Sequence, residues 1–189
     1  MCELPVFFAT TDGQTRRIAE ALAAHARFLG VDSHAIDIAS AQAADFSWAP
    51  VRAVVLAASI HAGRHQPEAE AFVRRHLRDL NARPSVFLSV SLSICSKLPD
   101  EVDSARSVAA AFPEHLGWRA GRVVCVAGRL AYTQYGLLKR FVMRRIAVKA
   151  GGSADTSRDH EMTDWDQVRG VADDLVGVME RPARQAAAV

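Results

Sequence analysis

The sequence lacks the features that would place it in several large classes of protein. Its three cysteines are odd in number and show no C-x-x-C or zinc spacing, and its histidines form no metal-ligand pair on a helix. Neither a disulfide framework nor a metal site is therefore expected. No apolar run approaches the roughly 20 residues of a membrane-spanning helix. Residues 1–9 also lack the basic start and long apolar stretch of a secretory signal, so a cytoplasmic protein is expected.

Acidic residues are missing from one long stretch, residues 115–154. Residues 116–154 carry a charge of +8 against an overall charge of +2, so the rest of the chain carries −6. Such a one-sided charge indicates an acidic partner, which could be anionic lipid, a carboxylate-bearing substrate or nucleic acid. The sequence contains no nucleic-acid recognition motif, so we expect no nucleic-acid partner.

Two common phosphate loops are also missing, because the chain has neither a Walker A lysine after a glycine nor a G-x-G-x-x-G fingerprint. It has instead a hydroxyl-rich turn between an apolar run and a helical pattern. Such a turn places N–H and hydroxyl groups at a helix N-terminus, where the helix dipole favours an anion. Contacts to a phosphate-bearing cofactor are predicted for Thr10, Thr11, Asp12, Gly13, Gln14 and Thr15. The Gln14 side chain is expected to be a donor, and an ordinary helix cap without a ligand is the alternative.

Strand and helix patterns alternate along the chain, which predicts an α/β fold. The expected architecture is a doubly wound, five-stranded parallel sheet with helices on both faces. The predicted strands are 4–9, 34–38, 51–58, 86–90 and 122–127. The predicted helices are 14–29, 67–80, 100–116 and a last helix that a capping box at Thr163 begins. Ligands of such sheets bind outside the carboxyl ends of the strands, which here carry loops 10–15, 59–65, 91–98 and the start of 128–135.

The domain organisation follows from the same patterns. We expect a single domain over residues 1–180 and a disordered tail at 181–189. About 34 residues, 129–162, separate the fifth strand from the last helix, where a plain domain of this class needs only a few. This basic and apolar insertion is expected either to bind an anionic surface or to cover the edge of the sheet.

Short motifs spread over residues 4–180 carry a family resemblance. They are Thr11-Asp12-Gly13-Gln14-Thr15, Ala58-Ser59-Ile60-His61-Ala62-Gly63, residues 85–90, Ala127-Gly128-Arg129-Leu130, Arg140-Phe141-Val142-Met143, Gly151-Gly152 with Asp155-Thr156, and Thr163-Asp164-Trp165. Together they resemble the menaquinone-dependent protoporphyrinogen oxidases, a branch of the flavodoxin superfamily. The resemblance implies a flavodoxin-like fold, FMN as cofactor, oxidation of protoporphyrinogen IX in haem synthesis and a quinone as electron acceptor. It also implies a peripheral position on the inner face of the cell membrane.

The sequence departs from that family in two places. Thr11 stands where an Arg is common, and loop 91–97 is poorer in basic residues than expected. The two loops expected at the flavin ring contain no aromatic or acidic residue and carry His61, Arg64, His65 and Lys97 instead. Positive charge near the ring would favour two-electron chemistry, unless these side chains point into water.

The remaining site residues are assigned from these loops. Ring contacts are predicted for Ser59, Ile60, His61, Gly63, Ser91, Leu92 and Ser93. Substrate contacts are predicted for Arg64, Lys97 and Arg129 through carboxylates and for Tyr132 against the macrocycle. His61 is the candidate proton acceptor. Two other functions stay open, a flavodoxin-type electron-transfer protein that docks a redox partner and an FMN-dependent quinone reductase fed by a nicotinamide.

Overall fold

The computed structural model of the protein describes residues 2–130 and 159–186. In chain order the elements are β1 (Leu4–Ala9), α1 (Gln14–Phe28), β2 (Ser33–Asp37), α2 (Ala41–Ala44), β3 (Val54–His61), β4 (Arg64–His65), α3 (Pro67–Asn81), β5 (Ser85–Ser91), α4 (Pro99–His115), β6 (Arg122–Ala127), β7 (Arg129–Leu130), β8 (His160–Glu161) and α5 (Trp165–Ala186). A 3₁₀ helix, Leu92–Cys95, lies between β5 and α4.

Five strands form a parallel sheet in the order β2-β1-β3-β5-β6, which confirms the predicted architecture. The chain moves outward from β1 to β2 and then returns to place β3 on the other side of β1. The strand order therefore reverses between β1 and β3, and the crevice outside their carboxyl ends is where such a sheet binds a ligand.

Side chains that alternate along β1 fill two separate cores, one on each face of the sheet. On one face Phe8 packs with Ile18 of α1 and Val171 of α5. On the other face Phe7 packs with Phe72 of α3 and Trp118. Both faces of the sheet are covered, which explains why β1, β3 and β5 read as nearly continuous apolar runs.

The third strand begins and ends three residues later than predicted. Val51 and Ala53 are buried, but Arg52 and Ala53 donate their backbone N–H groups to the carbonyl of Glu3, which precedes β1. The apolar pattern at 51–53 therefore reports burial in a turn and not membership of the strand. At the other end β3 continues to His61 and pairs with β4 in an antiparallel hairpin, so residues 59–65 are not the open loop that was predicted.

The last helix also differs from its prediction. The Oδ1 atom of Asp164 accepts hydrogen bonds from the N–H groups of Asp166 and Gln167, both at 3.0 Å, so Asp164 and not Thr163 is the N-cap. The Thr163 hydroxyl is turned inward and donates to the carbonyl of Ala127. The helix continues to Ala186, through six of the nine residues expected as a tail. Residues 187–189 lie outside the described residues.

The other helices match their predictions closely, apart from the short α2, which Ser40 caps and which was not predicted. Within residues 2–130 and 159–186, no helix combines the length and the apolar character needed to cross a membrane.

Candidate functional site

The β1–α1 turn presents an uncapped helix start at the switch point of the sheet. Gly13 is the N-cap residue with φ of +81°, and no side chain caps the helix. The Gly13 N–H donates to the Thr10 hydroxyl oxygen at 3.0 Å, so Thr10 fixes the turn from within. A Cβ at Gly13 would meet no atom within 4 Å, so the space beside it is open.

Three backbone donors at this helix start have no partner among the described residues. They are the N–H groups of Gln14, Thr15 and Arg16, because the first helical hydrogen bond runs from Arg17 to Gly13. Thr15 is 1% exposed, and its hydroxyl makes no hydrogen bond to a described residue. N–H groups, a hydroxyl and the positive end of a helix dipole are the donor set that a phosphate monoester requires. The turn therefore fits the phosphate of FMN.

The Gln14 side chain does not face this open space. Its Nε2 atom donates to Oε1 of Glu161 at 2.7 Å and to Oγ1 of Thr163 at 2.8 Å. Its Oε1 atom accepts from Arg17 at 3.1 Å. Both amide hydrogens are thus used inside the protein, which contradicts the expected side-chain donation and leaves the backbone N–H of Gln14 for a ligand.

The β3–β4 hairpin forms the second wall of the crevice. Ala62 and Gly63 make its two-residue turn with φ of +49° and +77°, the signature of a type I′ turn. Ser59 Oγ accepts from Gln66 at 2.6 Å and lies 3.1 Å from Nε2 of His61. Because Gln66 donates to Ser59, the Ser59 hydroxyl is free to donate to His61, which holds the exposed imidazole at the rim. Ile60 is half-buried and pairs with His65.

His65 does not contribute the positive charge expected of it. Its side chain lies under the hairpin between Phe87 and Phe112, is 7% exposed, and hydrogen-bonds through Nε2 to Ser89 at 2.9 Å. Burial lowers the pKa of His65 to about 4, so the imidazole is neutral at pH 7. The positive charge near the predicted ring site is therefore left to Arg64 and Lys97, whose side chains are exposed.

The segment after β5 forms the third wall. The Ser91 hydroxyl accepts from the N–H of Ser93 at 3.1 Å and caps the short 3₁₀ helix, and Leu92 and Ser93 are half-buried. Gly128 packs against this segment, because a Cβ there would lie 3.6 Å from Val90 and 4.0 Å from Leu92. Lys97 is exposed, as is Arg64 on the hairpin, and neither has an ion pair with a described residue.

Arg129 is held differently from the other two predicted substrate cations. Its side chain is 16% exposed and its Nη1 lies 3.3 Å from Oδ2 of Asp159, while its buried Nε has no hydrogen-bond partner in the described part of the chain. β7 and β8 pair Arg129 with Glu161 and Leu130 with His160. Arg129 is thus already neutralised at the base of the insertion. Tyr132, predicted to contact the macrocycle, lies outside the described residues.

The residues that join the base of the insertion to the β1–α1 turn were not predicted from the sequence. Glu161 and Thr163 both contact Gln14, which lies 147 and 149 positions away along the chain. The only local signal was the Thr-Asp-Trp motif, which was read as a helix cap. The described residues also contain no group of three or more His, Cys, Asp or Glu side chains suited to a metal ion.

Comparison with known proteins agrees with this geometry. The sequence profile of the flavodoxin domain matches residues 5–157. The chain belongs to the flavodoxin family. Membership supports FMN as the cofactor, which the β1–α1 turn fits.

Two relatives of this flavodoxin-family protein carry the same name, protoporphyrinogen IX dehydrogenase [quinone]. The relative from Escherichia coli strain K12 is 32% identical over 177 residues, which cover 94% of this chain and 96% of the relative. The relative from Leishmania major is 29% identical over 174 residues, which cover 92% of this chain and 74% of the relative.

Solved structures agree on the fold alone. A flavodoxin from the domain Archaea has a TM-score of 0.53 at 12% identity, covering 94% of this chain and 99% of that one. A short-chain flavodoxin associated with a non-canonical PDU bacterial microcompartment has a TM-score of 0.52 at 16% identity, covering 95% and 99%.

Proposed function

We propose that this protein is an FMN-dependent oxidoreductase that converts protoporphyrinogen IX to protoporphyrin IX in haem biosynthesis and passes the electrons to a quinone. The observation that carries the proposal is the 32% identity to an enzyme of that name over 94% of the chain. A crevice whose donors fit the cofactor phosphate supports it independently.

The chain's own residues would divide the work as follows. FMN, when bound, would supply a two-electron acceptor, so the six-electron oxidation of protoporphyrinogen IX would need three such cycles and three quinones. The N–H groups of Gln14, Thr15 and Arg16 would hold its phosphate, with the Thr15 hydroxyl beside them. The β3–β4 hairpin and the Ser91–Ser93 segment would flank its ring. His61 is the candidate to accept a proton, because its imidazole is exposed at the rim of the crevice. Protonation of its Nε2 would require the Ser59 hydroxyl to turn from donor to acceptor.

Substrate carboxylates are proposed to meet Arg64 and Lys97. Both side chains are exposed on the two walls of the crevice and have no ion pair with a described residue, so an incoming carboxylate displaces no internal partner. Arg129 is less available, because Asp159 already pairs with it. Its role is therefore proposed to be support of the insertion base.

Anaerobic reduction of the flavin is the direct test. The protein loaded with FMN is mixed with protoporphyrinogen IX, and the visible absorbance of the flavin is followed. We expect bleaching, followed by recovery of the absorbance when a quinone is added. Protoporphyrin IX, which is the already oxidised product and cannot reduce the flavin, is the matched control and should cause no bleaching.

The same experiment separates the two alternatives. Reduction by NADPH without reduction by protoporphyrinogen IX would favour the nicotinamide-fed quinone reductase. Reduction by neither, together with reduction by a protein electron donor, would favour the electron-transfer flavodoxin.

We also propose that the protein lies on an anionic membrane surface, where a quinone would be met. The support is the charge of +8 on residues 116–154, since each basic residue near such a surface contributes about 1 kcal/mol. Arg140→Glu with Arg144→Glu should lower sedimentation with anionic vesicles and leave FMN binding intact. Arg75→Glu with Arg78→Glu on α3 makes the same change of charge elsewhere and is the control. Equal sedimentation of all three proteins at low salt would contradict this location.

A further inference from the structure

A polar cluster ties the start of α1 to the base of the insertion. We call it the Gln14 clamp; it consists of Gln14, Arg17, Glu161 and Thr163. The Gln14 side-chain amide nitrogen donates to Glu161 and Thr163. Arg17 donates to Oε2 of Glu161 at 2.8 Å and to the side-chain oxygen Oε1 of Gln14 at 3.1 Å. Every hydrogen-bonding atom of the Gln14 side chain is therefore used.

The clamp is anchored on the sheet. Thr163 Oγ1 donates at 2.8 Å to the carbonyl of Ala127, the last residue of β6, and the N–H of Met162 donates to the carbonyl of Gly128 at 3.2 Å. Gln14 is 6% exposed and Thr163 is 8% exposed, so the central hydrogen bonds are shielded from water. The guanidinium of Arg17 also lies 5.6 Å from the ring centroid of Trp165, the first residue of α5.

The clamp acts on the residue whose backbone offers the first free N–H of α1. Fixing the side chain of Gln14 fixes its backbone, and with it the direction of the N–H groups of Gln14, Thr15 and Arg16. Preformed donors bind an anion more tightly than mobile ones, because no ordering is needed on binding. The clamp also holds Arg17 against a carboxylate, away from the open space beside Gly13.

We propose that Gln14 and Glu161 are positioning residues for the phosphate of the cofactor, and that they link phosphate binding to the base of the insertion. This inference rests on the proposed use of FMN. Linkage is reciprocal, so a phosphate held at the helix start stabilises the β7–β8 pair, as the pair stabilises the phosphate site. Neither residue touches the flavin ring in this scheme, and the effect is confined to the phosphate.

The test compares FMN with riboflavin, which has the same ring and no phosphate. Dissociation constants of both flavins for the full chain are measured by quenching of flavin fluorescence. Gln14→Ala should raise the FMN dissociation constant about tenfold, a loss of about 1.4 kcal/mol. Glu161→Ala should raise it by less, because it also frees the positive charge of Arg17, which attracts the phosphate. Riboflavin binding should change less than about twofold. Glu161→Gln keeps an acceptor for Gln14 and should restore part of the FMN affinity.

Two further proteins sharpen the comparison. Gln167→Ala removes an exposed glutamine of α5 that donates to the carbonyl of Cys125 in β6 at 3.3 Å. This change loosens the contact between α5 and β6 without touching the clamp. It should leave the dissociation constants of FMN and riboflavin unchanged. The double variant of Gln14 and Glu161 should lose no more FMN affinity than Gln14→Ala alone, because both residues act through one contact. If Glu161→Ala fails to fold, Gln14→Ala and Glu161→Gln carry the test.

The outcomes are distinct. Parallel weakening of FMN and riboflavin would overturn the proposal, since a merely structural role affects both flavins. If the unaltered protein binds FMN normally and the variants bind it equally well, the positioning role of the clamp is overturned. The proposed function is then left intact. Failure of the unaltered protein to bind FMN would overturn both. Hydrogen exchange of residues 159–163 should be slowed by saturating FMN more than by saturating riboflavin, and equal slowing would contradict the linkage.

Discussion

The buried imidazole of His65 should make the stability of this protein sensitive to mild acid. His65 is 7% exposed beneath the β3–β4 hairpin, and its ring centroid lies 5.0 Å from that of Phe87 and 4.7 Å from that of Phe112. Burial lowers its pKa from 6.5 to about 4. A protonated His65 would leave its charge among aromatic rings, with the Ser89 hydroxyl as its hydrogen-bond partner.

The sign and the size of the effect follow from linkage. Between pH 6.5 and about 4 the unfolded chain binds a proton that the folded protein does not. The stability contributed by the neutral imidazole is therefore complete above pH 6.5 and is lost as the pH falls toward the folded pKa. With 1.36 kcal/mol for each pKa unit, the loss is about 3 kcal/mol at the acid limit and about 2 kcal/mol at pH 5.

Urea unfolding at pH 7.5 and pH 5.0 measures this loss. His65→Gln keeps a polar group that can reach Ser89 but cannot take up a proton, so its free energy of unfolding should be lower than that of the unaltered protein at pH 7.5. That deficit should shrink by about 2 kcal/mol at pH 5.0. Burial also lowers the pKa of His76, but His76 is present in both proteins and cancels in the comparison.

His115→Gln is the control, because His115 is exposed at the end of α4 and lies outside the aromatic cluster. Its unfolding free energy should follow that of the unaltered protein at both pH values. A deficit of His65→Gln that stays constant between pH 7.5 and 5.0 would refute the reasoning, since it would mean that His65 titrates alike in the folded and unfolded states.

Three further predictions concern the walls of the crevice. Thr15→Ala should weaken FMN binding, and Gly13→Val should weaken it more, because Gly13 has φ of +81° and a branched side chain would fill the open space beside it. FAD should bind less tightly than FMN. Equal affinity of the two flavins in a titration would contradict a site for one terminal phosphate. Ala62→Asn should raise the free energy of unfolding by about 0.5–1 kcal/mol, because Asn tolerates the left-handed conformation that Ala62 adopts with φ of +49°; a lower melting temperature would contradict the turn type. Arg64→Ala with Lys97→Ala should raise the KM for protoporphyrinogen IX at unchanged FMN affinity, and unchanged kinetics would place the carboxylates elsewhere.

The parts of the fold that were predicted correctly are those where local pattern and burial agree. β1 and β6 have the predicted bounds, and Gly30 ends α1 with φ of +87° as expected of a residue after a helix. The turn between β1 and α1 lies where it was predicted, because Thr10, Gly13 and Thr15 lie within six consecutive residues.

The parts that were missed depend on contacts that no local pattern contains. Val51 looked like strand because it is apolar, yet its carbonyl accepts from the side chain of Arg83 and not from a neighbouring strand. The β3–β4 hairpin was read as a loop because Ala62 is an unfavourable residue for a type I′ turn. The Gln14 clamp joins residues 147 positions apart, so only the folded chain brings its partners together.

The charges around the crevice are arranged in a way that the sequence alone did not show. Two arginines follow the phosphate turn, but Arg17 is paired with Glu161 at 2.8 Å and Arg16 lies 3.9 Å from a carboxylate oxygen of Asp37. In the proposed function the described cations near the phosphate are thus compensated, and backbone donors and the helix dipole would carry the binding. At the other end of the crevice Arg64 and Lys97 have no ion pair with a described residue.

In the proposed function this arrangement would separate cofactor binding from substrate binding. Free cations beside the turn would stabilise any phosphate through a long-range field, whereas fixed N–H groups stabilise only one that enters the turn. In the proposed function the exposed cations at the other end would attract the anionic substrate and stabilise negative charge near the ring. A single domain can in this way bind the cofactor phosphate through fixed N–H groups and attract an anionic substrate through exposed cations.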